Sequence, residues 1–298
     1  MGELDLSKTE IGPFSWSYSE RDTILYALGV GCHREEQRYV FEGHSDFAAL
    51  PTLAVIPPYH DVLASVPLQD VLPKYNPAML LHGEQYLEMK APLKASGRLL
   101  TSARVLEVQD KGKAAVVVIH TTSKCADSGE VVAENEITSF MRGAGGFGQQ
   151  RRAQRQPAAV APNKPPQRKP DAVVEERTSE DQAALYRLSG DYNPLHIDPE
   201  FAGIAGFDRP ILHGLCTFGI AAKHVLKAFA QGDPEALKSI KARFAKHVFP
   251  GETLRTEMWQ DSPTKVIFQT RVVERDELAL TFAAVELATP AGQAKSRL

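Results

Sequence analysis

The densest group of polar residues able to do chemistry is the loop Ser189–Pro199. Asn193-Pro194 forces a turn, and Asp198-Pro199 is typical of the start of a short helix, with Asp198 as the N-cap. Asp191, Asn193 and His196 are therefore expected on one stiff loop. A carboxylate, an amide and an imidazole held together can bind and activate one water molecule. Asp and Asn before proline are also ordinary turn formers, so the loop alone is equally compatible with residues that only form a turn.

A second candidate is Gly214, which precedes the long apolar stretch Leu215–Ala230. This stretch predicts a buried helix that ends near Gly232, a residue suited to the C′ position. The first N–H groups of a helix have no partner within the helix and lie at the positive end of its dipole. The Gly214 N–H is thus a candidate donor to an oxyanion. A glycine that merely begins the helix is the plainer alternative, but the loop and the helix start together favour a catalytic site.

The elements that would position these residues occur twice along the chain. Leu25–Gly29 resembles Leu185–Gly190, and Tyr86–Pro92 resembles Phe244–Pro250, which predicts a duplicated domain. Each half is expected to begin with a short helix, capped by Ser19 in the first half and by Ser179 in the second.

Each half then continues with strand-like runs joined by short turns, which predict an antiparallel meander. The predicted strands are 86–89, 98–108, 114–121 and 131–140 in the first half, and 239–248, 253–259, 265–273 and 278–287 in the second. A long buried helix wrapped by an antiparallel sheet is the hot-dog arrangement. The expected fold is therefore α+β, a double hot dog of two tandem repeats with each sheet wrapping a helix.

A linker separates the two halves. The segment from Gly148 to Pro170 has five prolines and six basic residues and no acidic residue, so it cannot form a core and is expected to be extended or mobile. We therefore expect an N-terminal domain at 1–147, a linker at 148–171, a C-terminal domain at 172–290 and a tail at 291–298.

Composition excludes several functional classes. The chain has 298 residues, with 34 Lys and Arg against 37 Asp and Glu and a net charge of −3. A nearly neutral chain is not a general nucleic-acid binder, because duplex affinity comes from neutralising many phosphates. The three cysteines are far apart, so neither a disulfide framework nor a zinc site is indicated. No apolar run reaches the length of a membrane helix, and no signal peptide or metal site is expected.

Several segments of the sequence resemble a known family. Four segments, Asp191–His196, Pro210–Gly214, Arg243–Leu254 and Leu81–Leu87, closely resemble hydratase 2, the R-specific 2-enoyl-CoA hydratase that occurs alone or within peroxisomal multifunctional enzymes. The resemblance implies hydration of a trans-2-enoyl-CoA to a (3R)-3-hydroxyacyl-CoA in fatty-acid beta-oxidation. It implies no metal and no organic cofactor, since CoA belongs to the substrate.

The resemblance also implies roles for individual residues. Asp191 and His196 match the pair that activates water, Asn193 the residue that orients it, and the N–H of Gly214 the donor to the thioester oxygen. The ligand is expected against these four residues and also against His82, Gly83, Lys111, Tyr192, Pro194, Leu195 and Phe244.

Two of these ligand contacts, and Glu42 outside them, have alternative interpretations. His82-Gly83 repeats His213-Gly214 superficially, but it is expected before a strand, so we assign it to the wall of the ligand site and not to the oxyanion donor. Lys111 is either a partner of a CoA phosphate or a solvated turn lysine. Glu42 matches an acidic position of the family, with a plain surface acid as the alternative.

The first half lacks the Asp-x-Asn-Pro-x-His loop, so we expect it to be non-catalytic and to accommodate a bulky acyl chain. Three other functions are alternatives to the hydratase. The first is an acyl thioesterase on the same fold, which does not normally carry this loop. The second is a dehydratase that acts on acyl-carrier protein, which would run the same chemistry in reverse. A non-catalytic acyl-CoA carrier would not need both Asp191 and His196.

The residues Ser296-Arg297-Leu298 match the small-basic-leucine pattern of a peroxisomal address. They predict recognition by the peroxisomal import receptor and a location in the peroxisome matrix. Hot-dog sheets commonly pair edge to edge, so the fold permits a homodimer.

Overall fold

The computed structural model describes residues 6–72, 74–76, 79–148, 150–152 and 162–292. The strands are β1 (Ile11–Tyr18), β2 (Leu80–Met89), β3 (Gly97–Asp110), β4 (Ala114–Cys125), β5 (Val131–Arg142), β6 (Gln150–Arg152), β7 (Ala172–Arg177), β8 (Leu237–Phe244), β9 (Thr253–Ser262), β10 (Lys265–Val272) and β11 (Glu277–Leu287). The helices are α1 (Glu20–Gly29), α2 (Gln37–Val40), α3 (Leu63–Ser65), α4 (Leu68–Val71), α5 (Gln182–Tyr186), α6 (Pro199–Ile204) and α7 (Gly214–Phe229). Short 3-10 turns cover Leu6–Thr9, Pro51–Val55, Arg187–Ser189, Pro194–His196 and Pro234–Ala236, and a π turn covers Pro58–Val62.

All the strands join one antiparallel sheet. Its order is β1-β3-β4-β5-β2-β8-β11-β10-β9-β7, and β6 pairs with β3 beside this path. The two halves meet at the centre, where β2 pairs with β8 and Glu84 lies opposite Arg243. The class predicted from sequence, α+β with antiparallel strands, is confirmed. Within the described ranges, no helix combines the length and apolar character needed to cross a membrane.

Helix α7 is the central buried element of the second half. Its residues Leu215 to Leu226 are almost all buried, and it packs on β8, β9 and β11. Gly219 lets α1 come close, because a Cβ there would lie 2.6 Å from Val30 and 3.0 Å from the hydroxyl of Tyr26. The predicted helix is confirmed, and the close contact shows that the two halves share one core.

A buried polar cluster also joins the halves. The Lys223 ammonium on α7 lies 2.9 Å from the Glu176 carboxylate on β7 and donates to the carbonyl of Gly31 in the first half. His224 Nε2 lies 3.1 Å from the same carboxylate. An uncompensated charge is costly to bury, so these groups depend on one another.

The first half has an irregular helical segment, 51–65, where the second half has α7. This segment packs on β1, β2 and β3 and also touches α7. It changes from a 3-10 turn at Pro51–Val55 to a π turn at Pro58–Val62 and then to α3. Pro57 and Pro58 have no N–H to donate, so a continuous α-helical ladder cannot form.

Several boundaries differ from the sequence predictions, and three of them concern the helix caps and the strand that reaches the site. The N-cap of α5 is Asp181 rather than Ser179, whose hydroxyl instead accepts the Asp181 N–H. Helix α7 ends with Ala230 as its C-cap, so Gln231 occupies the C′ position that was predicted for Gly232. Strand β8 stops at Phe244 because the chain then turns, and the Val248 carbonyl accepts the Leu212 N–H.

The edge strands β1 and β7 and the short β6 were not predicted. β6 lies in the segment expected to be a linker, and it pairs with β3. Further along this segment, the Arg168 carbonyl accepts the indole N–H of Trp259. Some of the linker is therefore held against the sheet, although residues 149 and 153–161 lie outside the described residues.

Candidate active site

The loop between Gly190 and Pro199 is held by its own side chains. The Asp191 carboxylate accepts the Asn193 N–H at 3.2 Å, and the Asn193 side-chain oxygen accepts the Leu195 N–H at 3.0 Å. Asp198 caps α6 by accepting the N–H groups of the two residues that follow Pro199. The predicted turn and cap are confirmed, and the loop is stiff because each polar residue closes a local ring.

A second set of bonds ties this loop to the segment before α7. His196 Nδ1 lies 2.8 Å from the Ile211 carbonyl, and the Ile211 N–H is donated to the Leu195 carbonyl. His213, the N-cap of α7, donates from Nε2 to the Asp191 carbonyl at 3.1 Å. The His196 and His213 rings stack with centroids 3.7 Å apart. The loop and the helix start are therefore one assembly.

The hydrogen bonds determine the protonation of both imidazoles. A carbonyl can only accept, so His196 carries its proton on Nδ1, and its Nε2 lone pair is available as a base. Burial lowers the pKa of His196, although the Ile211 carbonyl and the Asp191 charge act in the opposite direction. Burial, with His196 as a second cause, lowers the pKa of His213 to about 2. Both rings are neutral near pH 7.

Gly214 is the first residue of α7, as predicted. No described residue accepts its N–H, which lies at the positive end of the helix dipole. The Phe244 ring covers the α-carbon, because a Cβ on Gly214 would lie 3.0 and 3.1 Å from two ring carbons. The structure thus places a donor without a described acceptor directly after His213, which is itself bonded to the loop at Asp191.

His82 and Gly83 come from the first half and lie within β2, at a register shift against β5, rather than before the strand. The His82 ring packs edge-on against Phe244 with centroids 4.7 Å apart. Phe244 is therefore in contact with both His82 and Gly214. Gly83 thus lies inside a strand and not at the start of a helix, where an N–H would lie at the positive end of a helix dipole.

The other predicted ligand contacts are more scattered. Tyr192 is 55% exposed, with the Arg187 guanidinium over its ring at 5.0 Å. Asn193 and Pro194 are exposed and Leu195 is half-buried. Lys111 lies in the exposed turn between β3 and β4, where no described contact joins it to the Asp191 cluster. Glu42 is exposed in a turn, and Ser296-Arg297-Leu298 lies outside the described residues.

Sequence reasoning missed His213 and Tyr59. His213 could have been recognised, because it is the last residue before a helix start already chosen for its donor. Tyr59 has no sequence signal, since it lies in a proline-rich segment without periodicity. The structure places its hydroxyl 2.7 Å from His82 Nδ1.

Asp191, His196 and His213 each offer one ligand-type atom, and these three atoms lie within 4.8 Å of one another. Two imidazoles and a carboxylate are donors that transition metals accept. The two rings are stacked with an interplanar angle of 29°, and each donates one ring N–H to a backbone carbonyl, which leaves one lone pair on each ring. A carboxylate and such a lone pair can hold a water molecule between them.

Comparisons with known proteins agree with this architecture. One family model, the MFE-2 hydratase 2 N-terminal domain, matches residues 16–143, and a second, the MaoC like domain, matches residues 161–282. A conserved hypothetical protein of Mycobacterium tuberculosis, described as having a double hotdogfold, superposes with a TM-score of 0.58 at 13% identity. The predicted double hot dog is therefore confirmed, and the chain is a two-domain hot-dog protein of the MaoC-like class.

Relatives of higher sequence identity identify the family within this class. The chain is 42% identical over 282 residues to the probable enoyl-CoA hydratase 2 of Dictyostelium discoideum, covering 94% of both chains. A crystal structure of a MaoC-like dehydratase from Phytophthora Capsici matches with a TM-score of 0.85 and 37% identity over 96% of this chain and 98% of that one. The chain belongs to the hydratase 2 family, as its motifs indicated.

Some relatives are much longer. The chain is 52% identical over 274 residues to the peroxisomal hydratase-dehydrogenase-epimerase of Neurospora crassa, covering 92% of this chain. It spans only 30% of the length of that relative.

Proposed function

We propose that the chain is an R-specific 2-enoyl-CoA hydratase, which adds water to a trans-2-enoyl-CoA to give a (3R)-3-hydroxyacyl-CoA. The observation that carries the proposal is the convergence of Asp191, His196 and His213 within 4.8 Å, directly before the unpaired N–H of Gly214. Relatives whose printed names include enoyl-CoA hydratase 2 support it.

In the proposed mechanism, one water is held between the Asp191 carboxylate and the Nε2 lone pair of His196. Its oxygen forms the new bond to C3 while the site takes up one of its protons. The C2–C3 π electrons move toward the thioester, whose oxygen develops negative charge opposite the Gly214 N–H. The enolate then collapses, and C2 takes a proton from the site. Atoms and electrons balance without a redox step, so we propose that no cofactor takes part.

We propose that Asn193 helps to orient this water through its NH2 group, because its side-chain oxygen already caps the turn at Leu195. The walls of the ligand site would be formed by the loop residues Tyr192, Pro194 and Leu195 on one side and by His82, Gly83 and Phe244 on the other. We place the CoA phosphates toward Lys111, whose exposed turn offers a cation.

The acyl chain would extend toward the first half. A cavity of about 170 Å³ lies between the halves beside the loop, and it is lined by Trp16, Asp22, Leu25, Leu53, Leu188, Ser189, Gly190 and Tyr192. Gly190 is bonded directly to Asp191, so this cavity adjoins the catalytic loop. Residues 1–147, 148–171, 172–290 and 291–298 remain our proposed division into non-catalytic domain, linker, catalytic domain and tail.

Activity can be measured as loss of the conjugated enoyl-thioester absorbance. We expect turnover with trans-2-enoyl-CoA and slower turnover with the same acyl group on acyl-carrier protein. A preference for the carrier-protein substrate would favour the dehydratase alternative. Binding without any absorbance loss would indicate a non-catalytic carrier and contradict the proposal.

We propose that the protein works in the peroxisome matrix in beta-oxidation, a location supported by the printed names of its relatives. Recognition by the import receptor through Ser296-Arg297-Leu298 can be tested by deleting these residues. We expect unchanged activity in vitro and dispersal into the cytosol, whereas retention in peroxisomes would contradict recognition of this tripeptide. The homodimer stays a prediction.

A further inference from the structure

Tyr59 reaches the proposed site from the half that lacks the catalytic loop. It lies in the π turn Pro58–Val62, and single π turns within helices are frequent at functional sites. Its hydroxyl lies 2.7 Å from His82 Nδ1, and the two rings are 5.8 Å apart between centroids. Burial, with the negative charge of Asp191 as a second cause, raises the pKa of Tyr59 well above its ordinary value. The phenol therefore keeps its proton.

The direction of the bond follows from the other ring nitrogen. His82 Nε2 lies 3.1 Å from the Glu84 carbonyl, which can only accept, so the ring proton is on Nε2. Nδ1 is then the acceptor, and Tyr59 is the donor. Burial lowers the pKa of His82 to about 4, which keeps the ring neutral. Because both nitrogens are engaged, His82 has a fixed orientation and no lone pair for proton transfer.

The fixed His82 ring supports the donor at Gly214 through one intermediate side chain. His82 packs edge-on against Phe244, and the Phe244 ring lies against the Gly214 α-carbon. A rotation of His82 would let Phe244 move, and the backbone of Gly214 would lose the surface that holds it. Small displacements of a catalytic donor reduce rates strongly.

We propose that Tyr59 is a positioning residue for the hydration reaction: it locks His82, which holds Phe244 against Gly214 and so aims the Gly214 N–H at the thioester oxygen. This inference rests on the proposed function. It assigns the first half a role in transition-state stabilisation, transmitted through the contact series Tyr59, His82, Phe244 and Gly214.

The main test is Tyr59→Phe, which removes only the hydroxyl. We expect kcat to fall about three- to tenfold, with KM changed less than about twofold, because an oxyanion donor acts mainly on the transition state. The matched control is Tyr39→Phe, which removes the bond from another first-half tyrosine to the Gly232 carbonyl, away from the site. We expect kcat of this control to stay unchanged.

A double-mutant cycle separates positioning from general loosening of the fold. Tyr59 acts through Phe244 in this account, so Tyr59→Phe should slow the Phe244→Leu variant little further. Equal effects of Tyr59→Phe in both backgrounds, or a kcat within twofold of the wild type in the single variant, would overturn the proposal.

A readout independent of turnover distinguishes this inference from the proposed function. Nitrogen NMR of the wild-type protein should show His82 protonated on Nε2, and Tyr59→Phe should shift the Nδ1 resonance. The opposite tautomer in the wild type would overturn the Tyr59 inference even if hydration were confirmed. A correct tautomer in a protein that hydrates no enoyl-CoA would instead refute the proposed function.

Discussion

The helical elements at the centre of the two halves differ in their first turns, and we propose that this difference separates a catalytic half from a supporting one. Helix α7 begins regularly at Gly214 and leaves an N–H free for a ligand. The first-half segment 51–65 is broken by Pro57 and Pro58, so it presents no regular helix start there and instead sends Tyr59 toward the site. In this account the two copies of a duplicated fold keep the same architecture, while one copy carries the catalytic residues and the other holds them in position.

The dipeptide His-Gly occurs in both halves and shows how the surrounding element changes its role. His213-Gly214 starts a helix, and His213 binds the catalytic loop, whereas His82-Gly83 lies inside a strand with both nitrogens of the imidazole engaged. Residue type alone does not assign an oxyanion donor. The element in which the glycine lies decides whether its N–H is free.

The largest effect is expected in the catalytic loop. Asp191→Asn and His196→Gln should each lower kcat by about 10²–10⁴, the usual contribution of an acid–base group, with the fold retained. The assay is enoyl-thioester absorbance at saturating substrate, together with thermal unfolding of each variant.

The loop provides its own control for Asp191→Asn. Asp198→Asn makes the same change seven residues further along the chain and keeps an N-cap of equal quality. We expect nearly normal turnover for Asp198→Asn and for His33→Gln, an exposed first-half histidine. A slow Asp198→Asn variant with a fast Asp191→Asn variant would show that the wrong carboxylate has been assigned.

The next effect concerns the junction of the halves. Lys223→Met should lower the free energy of unfolding by about 3–5 kcal/mol, because it leaves the Glu176 carboxylate buried without its main partner. Lys227→Met, one turn along the same helix at an exposed position, should change it by less than about 0.5 kcal/mol. Equal denaturation midpoints for the two variants would mean that the cluster does not couple the halves.

This cluster should also make stability depend on pH. Burial acts to raise the pKa of Glu176, but the His224 hydrogen bond and the Lys223 charge hold it below its ordinary 4.5. A carboxyl with a lowered folded pKa stabilises the protein above its unfolded pKa, and this contribution is lost as the pH falls through the folded value. Wild-type stability should therefore decline below about pH 4.5, and Lys223→Met should show a smaller decline.

A smaller effect is expected from adding a methyl group at Gly214 or at Gly83, the glycines of the two His-Gly dipeptides. Gly214→Ala presses a Cβ onto the Phe244 ring at 3.0 Å and shifts the donor, so kcat should fall about tenfold. Gly83→Ala places a Cβ 3.3 Å from the Thr138 carbonyl oxygen, in the wall of the ligand site but away from any proposed donor, so its effect should fall on KM while kcat stays within about twofold. Similar losses in both variants would argue against a special role for Gly214.

The sequence predicted the elements that carry their own signals. The apolar stretch of α7, the central strands and the Asp191–His196 turn follow from local periodicity and capping, and all were found. The edge strands β1 and β7 were missed because they are largely half-buried or exposed along their length and carry few apolar residues that would mark a buried face. The contact of Tyr59 with His82 depends on tertiary packing across a broken helix, so no local pattern could reveal it.

The hand of the product tests the central claim most directly. In the proposed mechanism one loop supplies the water and one helix start holds the thioester, so only one face of the double bond can be attacked. The hydration product should be oxidised by an R-specific 3-hydroxyacyl-CoA dehydrogenase and should give almost no reduced nicotinamide with an S-specific one. Rapid reduction with the S-specific enzyme would contradict the placement of Asp191, His196 and Gly214 around the substrate.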